Sequence, residues 1–318
     1  MAVNAFIFPG QGSQAVGMGR DLAASFAAAR HVFEEVDEVL KQKLTKLMFE
    51  GPADELTLTE NAQPALMAVS LAVLRVLQTE GGLTLKDKII LTAGHSLGEY
   101  SALAAVDAFS VAEAASLLKL RGQAMQKAVP PGEGAMAALL GADLALAREI
   151  CTETESLMTG REIVAVANDN GGGQVVISGH KAAVEQAMDV AKGKGVKRAM
   201  LLPVSAPFHC ALMAPAADAM AEAFANIPPR APSLPIIANV TAQKATDPAQ
   251  IRDLLIQQVT ATVRWRESVD EMISLGVTHF YEIGAGKVLS GLVKRIAPDA
   301  TTATTGTPAE IEALLKVL

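Results

Sequence analysis

An α/β protein built on a mainly parallel sheet is the fold class this sequence predicts, and three observations predict it. Short β-rich apolar runs at residues 3–8, 88–93, 235–240 and 279–283 alternate with stretches of helical period, the pattern of strands covered by helices. Three of the runs end in glycine-containing turns, Pro9-Gly10, Gly94 to Gly98 and Gly284-Ala285-Gly286, which punctuate such folds. Half of the 318 residues are apolar and 19% are charged, so the chain can bury a large core.

In chain order, residues 3–8 form a strand closed by Pro9-Gly10, and Gly10-Gln11-Gly12-Ser13-Gln14 succeeds it. That loop lacks the Gly-Lys-Ser/Thr of a phosphate loop and spells no dinucleotide fingerprint; a plain turn and a ligand-contacting loop are both open. Over residues 20–48 an apolar stripe of Leu22, Phe26, Val32, Phe33, Val36, Val39 and Leu40 predicts helix up to the break at Gly51-Pro52. Residues 54–59 read as a polar linker, and residues 65–78 as a long apolar helix ended by Gly81-Gly82. A strand over 88–93 and a helix from Ser101 flank Gly94-His95-Ser96-Leu97-Gly98, and a helix over 111–129 carries Arg121 among Leu117, Leu118, Leu120 and Met125.

Pro130-Pro131-Gly132 marks a change of rhythm. Strands over 135–140, 163–168, 174–178 and 196–203 and helices over 143–155 and 181–192 come next in the order β-α-β-β-α-β, a ferredoxin-like arrangement. Residues 168–173, Asn-Asp-Asn-Gly-Gly-Gly, suit the hairpin turn inside it. From about residue 204 the longer pattern resumes, with helices over 214–226, 251–259, 267–275 and 288–296 around the strands at 235–240 and 279–283. The expected division is a large domain of residues 1–130 and 204–318 with a small subdomain, 131–203, inserted into it.

Composition narrows the function classes. A net charge of −7 with no basic cluster argues against nucleic-acid binding. No apolar run free of charged residues reaches the length of a membrane span, and no basic segment precedes the first strand, so neither membrane nor secretory leader is expected. Cys151 and Cys210 are too few for a disulfide framework and lack metal-ligand spacing; a reduced, cytoplasmic protein without a metal site is expected.

The chemistry centres on Gly94 to Gly98. A Gly-x-Ser-x-Gly between strand and helix is the nucleophile-elbow pattern, which exposes the serine hydroxyl beside helix N-terminal N–H groups. Such a serine needs a neutral imidazole, and the chain has five histidines. His31 lies mid-helix, His95 adjoins the serine on a sharp turn, and His180 falls in the small subdomain. His209, in a loop after Pro207, is the preferred base; His279 with Asp253 or Asp270, in hydrolase order, is the alternative. Arg121 either snorkels from its apolar helix or aims its planar fork into a pocket to bind a carboxylate.

With these residues in place the chain resembles the malonyl-CoA:acyl-carrier-protein transacylase family of dissociated bacterial fatty-acid synthesis. The likeness rests on residues 8–14 (Phe-Pro-Gly-Gln-Gly-Ser-Gln), 94–100 (Gly-His-Ser-Leu-Gly-Glu-Tyr), Arg121-Gly-x-x-Met125-Gln, Gly134 to Ala137, Asn168, Ser205 to His209, Asn239, and Glu282 to Leu289. It implies a large α/β-hydrolase-like domain with an inserted ferredoxin-like subdomain. It implies Ser96 as nucleophile, His209 as general base oriented by the backbone carbonyl of Gln258, and Gln11 with the Leu97 N–H as oxyanion hole. Arg121 then receives the malonyl carboxylate. The implied partners are malonyl-CoA and the phosphopantetheine thiol of acyl carrier protein, with no bound cofactor, and the absence of a coiled coil suggests a monomer. Basic residues Lys181, Lys192, Lys194, Lys197 and Arg198 are candidates for carrier docking. Two positions depart from or vary within the family pattern: Ala285 stands where proline is usual, and Phe208 precedes the histidine, as in malonyl-selecting members.

Overall fold

The computed structural model describes residues 2–318. Ten strands are present among the described residues: β1 (Asn4–Phe8), β2 (Leu91–Gly94), β3 (Gly134–Leu140), β4 (Val164–Asp169), β5 (Gln174–His180), β6 (Arg198–Leu201), β7 (Ile236–Ile237), β8 (Lys244–Ala245), β9 (His279–Ile283) and β10 (Thr301–Thr305). They form a six-stranded sheet in the order β10-β9-β1-β2-β7-β8 and a four-stranded sheet in the order β4-β5-β3-β6. The large sheet is parallel from β10 to β7, with β8 turned back antiparallel on β7. β1 sits at its centre because Ala5 to Phe8 have no exposed surface; a strand apolar on both faces needs helices on each side.

The small sheet is antiparallel throughout. Helices Leu144–Leu157 and Lys181–Gly193 cover it and close a core of their own around Ile150, Ile177 and Val184. The two sheets are stitched together. β4 bridges in parallel to Val263, Asp169 N–H donates to Val263 O at 3.0 Å and Val263 N–H to Ala167 O at 2.9 Å. Buried Asp169 also accepts from Arg266 Nε at 2.9 Å.

Several elements differ from the sequence-based expectation. Residues 20–48 are not one helix; Arg20–Ser25, Ala27–Leu40 and Leu44–Glu50 are separate, because Phe26 is extended and Lys41 turns left-handed. The expected polar linker at 54–59 holds a short helix, Ala53–Thr57. The long helix begins at Thr59, not residue 65, and carries Pro64 inside it. Burial of Asn61, Ala62 and Gln63 outweighs the one backbone hydrogen bond a proline forfeits. That helix, Thr59–Thr79, is by length and composition apolar enough to cross a membrane, although Glu60 and Arg75 interrupt its apolar run as expected; 83% of its apolar window is buried inside the fold, against helices Ala27–Leu40 and Val111–Ala128.

The parallel strands set the position of the site. Gln11 succeeds the carboxyl end of β1, Ser96 that of β2, Asn239 that of β7, and the Gly284–Gly286 loop that of β9, the end at which open parallel sheets bind ligands. The elbow between β2 and helix Gly98–Ala105 is sterically closed: a Cβ on Gly94 would meet Gly98 O at 1.9 Å, and one on Gly98 would meet Phe8 O at 2.2 Å. Gly98→Ala is therefore expected to destabilise the protein by about 3 kcal/mol or more, since a methyl here displaces main chain rather than side chain. A calorimetric melt matching the unaltered protein would contradict this account of the turn.

Candidate active site

Ser96 sits at the apex of the elbow with φ +54°, in the left-handed region that costs a non-glycine residue about 1–3 kcal/mol. Its own N–H is held by Asn239 Oδ1 at 2.7 Å, and Asn239 Nδ2 donates to Gly94 O at 2.6 Å. One side chain thus pins both arms of the turn. The Ser96 hydroxyl lies 2.8 Å from His209 Nε2, and His209 Nδ1 lies 2.9 Å from the backbone oxygen of Gln258. A carbonyl oxygen only accepts, so the proton is on Nδ1, and Nε2 is left to accept the Ser96 proton. His209 too is left-handed, at φ +58°, held by these two bonds.

Burial and, after it, the nearby Arg121 charge push the His209 imidazole down to about 3. The ring is neutral across the physiological range and already in the state a general base requires. On acidification the unfolded ring takes up a proton near its ordinary value, while the folded one does not until about 3. Stability contributed above the ordinary value is therefore lost as pH falls toward 3.

Arg121 is 1% exposed. Its Nη1 donates to Gln63 Oε1 and its Nη2 to Gln258 Oε1, each at 2.8 Å, and Nη2 lies 3.3 Å from Ser96 Oγ. Nε has no partner, and among the described residues no carboxylate is in ion-pair contact with the guanidinium. The arginine does not snorkel; it is a buried cation among neutral amides, aimed at the Ser96 hydroxyl.

Gln11 and Leu97 line the same cleft, about 460 Å³ in volume. Gln11 is tethered where Thr59 Oγ1 donates to its amide oxygen at 2.8 Å. Neither the Gln11 N–H donors nor the Leu97 N–H finds a protein acceptor among the described residues. Met125, Met136, Leu202, Val204 and Phe208 supply the apolar wall, the last four contributed by β3 and the segment beyond β6.

His279 is placed elsewhere. It pairs in register with Asn4 at the start of β1, whereas Gly94 pairs with Phe8 at its end; four residues of strand separate them, about 13 Å. Asp253 pairs with Arg252 and Asp270 with Arg266, so no hydrolase-order triad assembles. His95 lines the cleft beside Ser96, but its Nε2 is engaged 2.9 Å from Asn170 Oδ1. Sequence reasoning did not reach Gln63 or Asn170, nor the side-chain contacts of Gln258, Glu99 and Asn239. Neutral amides announce no chemistry in a sequence, and their partners lie far along the chain.

The tautomer is directly measurable. In a ¹⁵N NMR titration His209 is expected to remain neutral, with its proton on Nδ1, down to about pH 5; an imidazolium there would overturn the assignment of Nε2 as a ready acceptor.

Comparison with known proteins agrees with this geometry. A family model described as an acyl transferase domain matches residues 5–306. The malonyl CoA-acyl carrier protein transacylase of Bacillus subtilis is 46% identical over 318 residues, covering 100% of this chain and 98% of that protein. An acyl-carrier-protein-S-malonyltransferase from Bartonella henselae superposes with a TM-score of 0.95 at 55% identity, covering 99% of both chains. A malonyl-transacylase solved in complex with its type II polyketide-synthase acyl-carrier protein superposes with a TM-score of 0.94 at 42% identity, covering 100% of each chain. With a serine hydroxyl, an imidazole and a buried guanidinium assembled at the carboxyl end of the sheet, and with a family model spanning nearly the whole chain, this protein belongs to the acyl transferase domain family and is an acyltransferase.

Proposed function

We propose that the chain moves a malonyl group from malonyl-CoA to the phosphopantetheine thiol of acyl carrier protein through a malonyl ester on Ser96. The observation that carries this reading is Arg121, a buried cation 3.3 Å from the Ser96 hydroxyl with only neutral partners. An uncharged acyl group gives that guanidinium nothing, whereas the free carboxylate of a malonyl group offers it a planar acceptor.

In the first half-reaction the Ser96 oxygen attacks the thioester carbonyl as its proton passes to His209 Nε2. Gln11 and the Leu97 N–H hold the resulting oxyanion. The C–S bond then breaks, coenzyme A leaves with the proton from His209, and malonyl-Ser96 remains. In the second half the carrier's thiol gives its proton to the same nitrogen and attacks the ester; the bond to Ser96 breaks and the serine recovers its proton. The scheme needs no metal, bound cofactor or second copy of the chain. We assign the catalytic parts to residues 1–130 and 204–318, with 131–203 as an inserted subdomain that walls the cleft. The product supplies fatty-acid synthesis; a polyketide carrier is the second reading, favoured by the structural neighbour bound to one.

Docking of an acidic carrier falls to part of the basic set. Lys181 lies 3.9 Å from Glu185, and Lys194 lies 2.6 and 2.7 Å from Glu149 and Glu153, so their charges are partly answered. Lys192, Lys197 and Arg198 are exposed and form no ion pair among the described residues, and Arg198 opens the strand that runs into the cleft-lining Leu202.

Intact-protein mass spectrometry with malonyl-CoA tests the chemistry. Ser96→Ala is expected to abolish the adduct, with transfer falling by about 10⁴-fold or more, and a persisting adduct would sink the assignment. Arg121→Ala is expected to cost about 2–5 kcal/mol in malonyl kcat/KM and to raise relative acetyl transfer; unchanged malonyl kinetics would make the arginine structural only. For docking, reversing Lys192, Lys197 and Arg198 to glutamate is expected to raise the carrier KM at low salt more than at high salt, leaving malonyl-CoA kinetics alone. An unaltered carrier KM would remove the surface from consideration.

A further inference from the structure

One buried ionisable group beneath the elbow is left without a part in this chemistry. Glu99, in the first turn of helix Gly98–Ala105, is 1% exposed. Its Oε2 accepts from Gln258 Nε2 at 2.7 Å and from the Asn239 backbone N–H at 3.1 Å. Both partners lead to the reacting groups. Asn239 is the residue that pins Ser96 N–H and Gly94 O. Gln258 donates also to Ser96 O at 3.0 Å and, through Oε1, accepts from Arg121. A carboxamide has nearly the same shape either way round; turned over, Gln258 would set its NH₂ against the guanidinium. An acceptor at the Glu99 position holds the orientation in which oxygen faces Arg121.

We propose that Glu99 is a positioning residue for acyl-group selectivity, locking the Gln258 amide so that the Arg121 guanidinium points at the ester on Ser96. The proposal rests on the reading above, in which Arg121 receives the malonyl carboxylate. Burial pushes the Glu99 carboxyl up to about 7, against the two hydrogen bonds it accepts and the Arg121 charge. The group therefore gives up its charge easily, and its contribution to Gln258 is an acceptor oxygen at a fixed reach.

The test exchanges reach for charge. Glu99→Gln keeps an acceptor oxygen at the same distance and removes the charge; Glu99→Asp keeps the charge and withdraws the oxygen by one methylene, about 1.5 Å. Rates of Ser96 acylation by malonyl-CoA and acetyl-CoA give the malonyl:acetyl ratio of kcat/KM for each variant. That ratio is expected to fall about tenfold or more in Glu99→Asp and to stay within about twofold in Glu99→Gln, because a small misplacement near reacting atoms is costly. Gln258→Met, which leaves Glu99 in place and deletes the amide, should lower the ratio as Glu99→Asp does, and it decides the matter should the aspartate variant not fold. On an Arg121→Ala background Glu99→Asp should lower the ratio no further, since it acts through that guanidinium.

An unchanged ratio in Glu99→Asp or in Gln258→Met, an equal fall in Glu99→Gln, or an additive fall in the double variant overturns the proposal. Arg121→Ala alone reports on the underlying reading. An unchanged ratio there removes that reading and this proposal with it. A lowered ratio there, with Glu99→Asp unaltered, removes only the proposal.

Discussion

Ser96, His209 and Arg121 are all held by Gln258. Its backbone oxygen takes the His209 Nδ1–H, its side-chain oxygen takes Arg121, and its amide nitrogen donates to the Ser96 backbone and to Glu99. The residue is fully buried and ends the helix Pro248–Gln258. Its place there matters physically. The last carbonyls of a helix have no intrahelical donor and carry the negative end of the helix dipole. A carbonyl in that position orients the imidazole and, in the proposed cycle, would favour the imidazolium formed when Ser96 gives up its proton, the two services an aspartate gives elsewhere. It does so without placing a full negative charge beside the substrate carboxylate that Arg121 is proposed to receive.

The electrostatics of Arg121 arise from the same choice of neutral neighbours. Burying a guanidinium costs several kcal/mol, and a carboxylate in contact would offset the cost while closing the site to an anionic substrate. Gln63 and Gln258 satisfy two of its nitrogens with carbonyl oxygens, keeping the fork in place with its charge unneutralised. The Tyr100 ring, whose centroid is 5.6 Å from the guanidinium carbon, adds favourable but non-competing contact. Glu99 lies one amide away, close enough to temper the field and too far to occupy the fork.

How much of this was legible in the sequence depends on what kind of signal each residue sends. The elbow was legible because Gly94 and Gly98 are demanded locally, by main chain within 1.9 and 2.2 Å of where a side chain would begin. β1 and β9 were legible as apolar runs, and the β-α-β-β-α-β order as a change in rhythm. β10 was not, since Thr301 to Thr305 pair only with β9 at the sheet edge and need no apolar face. Nor was the opening of helix Thr59–Thr79, where Pro64 reads as a breaker. The amides were least legible of all. Gln63 reaches Arg121 from 58 residues away and Gln258 reaches the elbow from 162, distances at which spacing in a sequence carries no information about contact.

The seam between the sheets bears on how the wall of the cleft is held. The small sheet supplies part of the apolar wall, through Met136, and Leu202 and Val204 lie just past β6. Were that sheet hinged, the wall would move against Ser96. Instead β4 continues into the Val263 segment through paired main-chain bonds, Thr262 Oγ1 donates to Val166 O, and Arg266 grips Asp169. A further tie, Asn170 to His95, lands on the residue immediately before the nucleophile. Ser96 is therefore braced from both sheets at once, by Asn239 from the large one and through His95 from the small. The proposed cycle meets two different thiols with one oxyanion geometry, and donors fixed in advance would stabilise the same charge in both halves without reorganising between them.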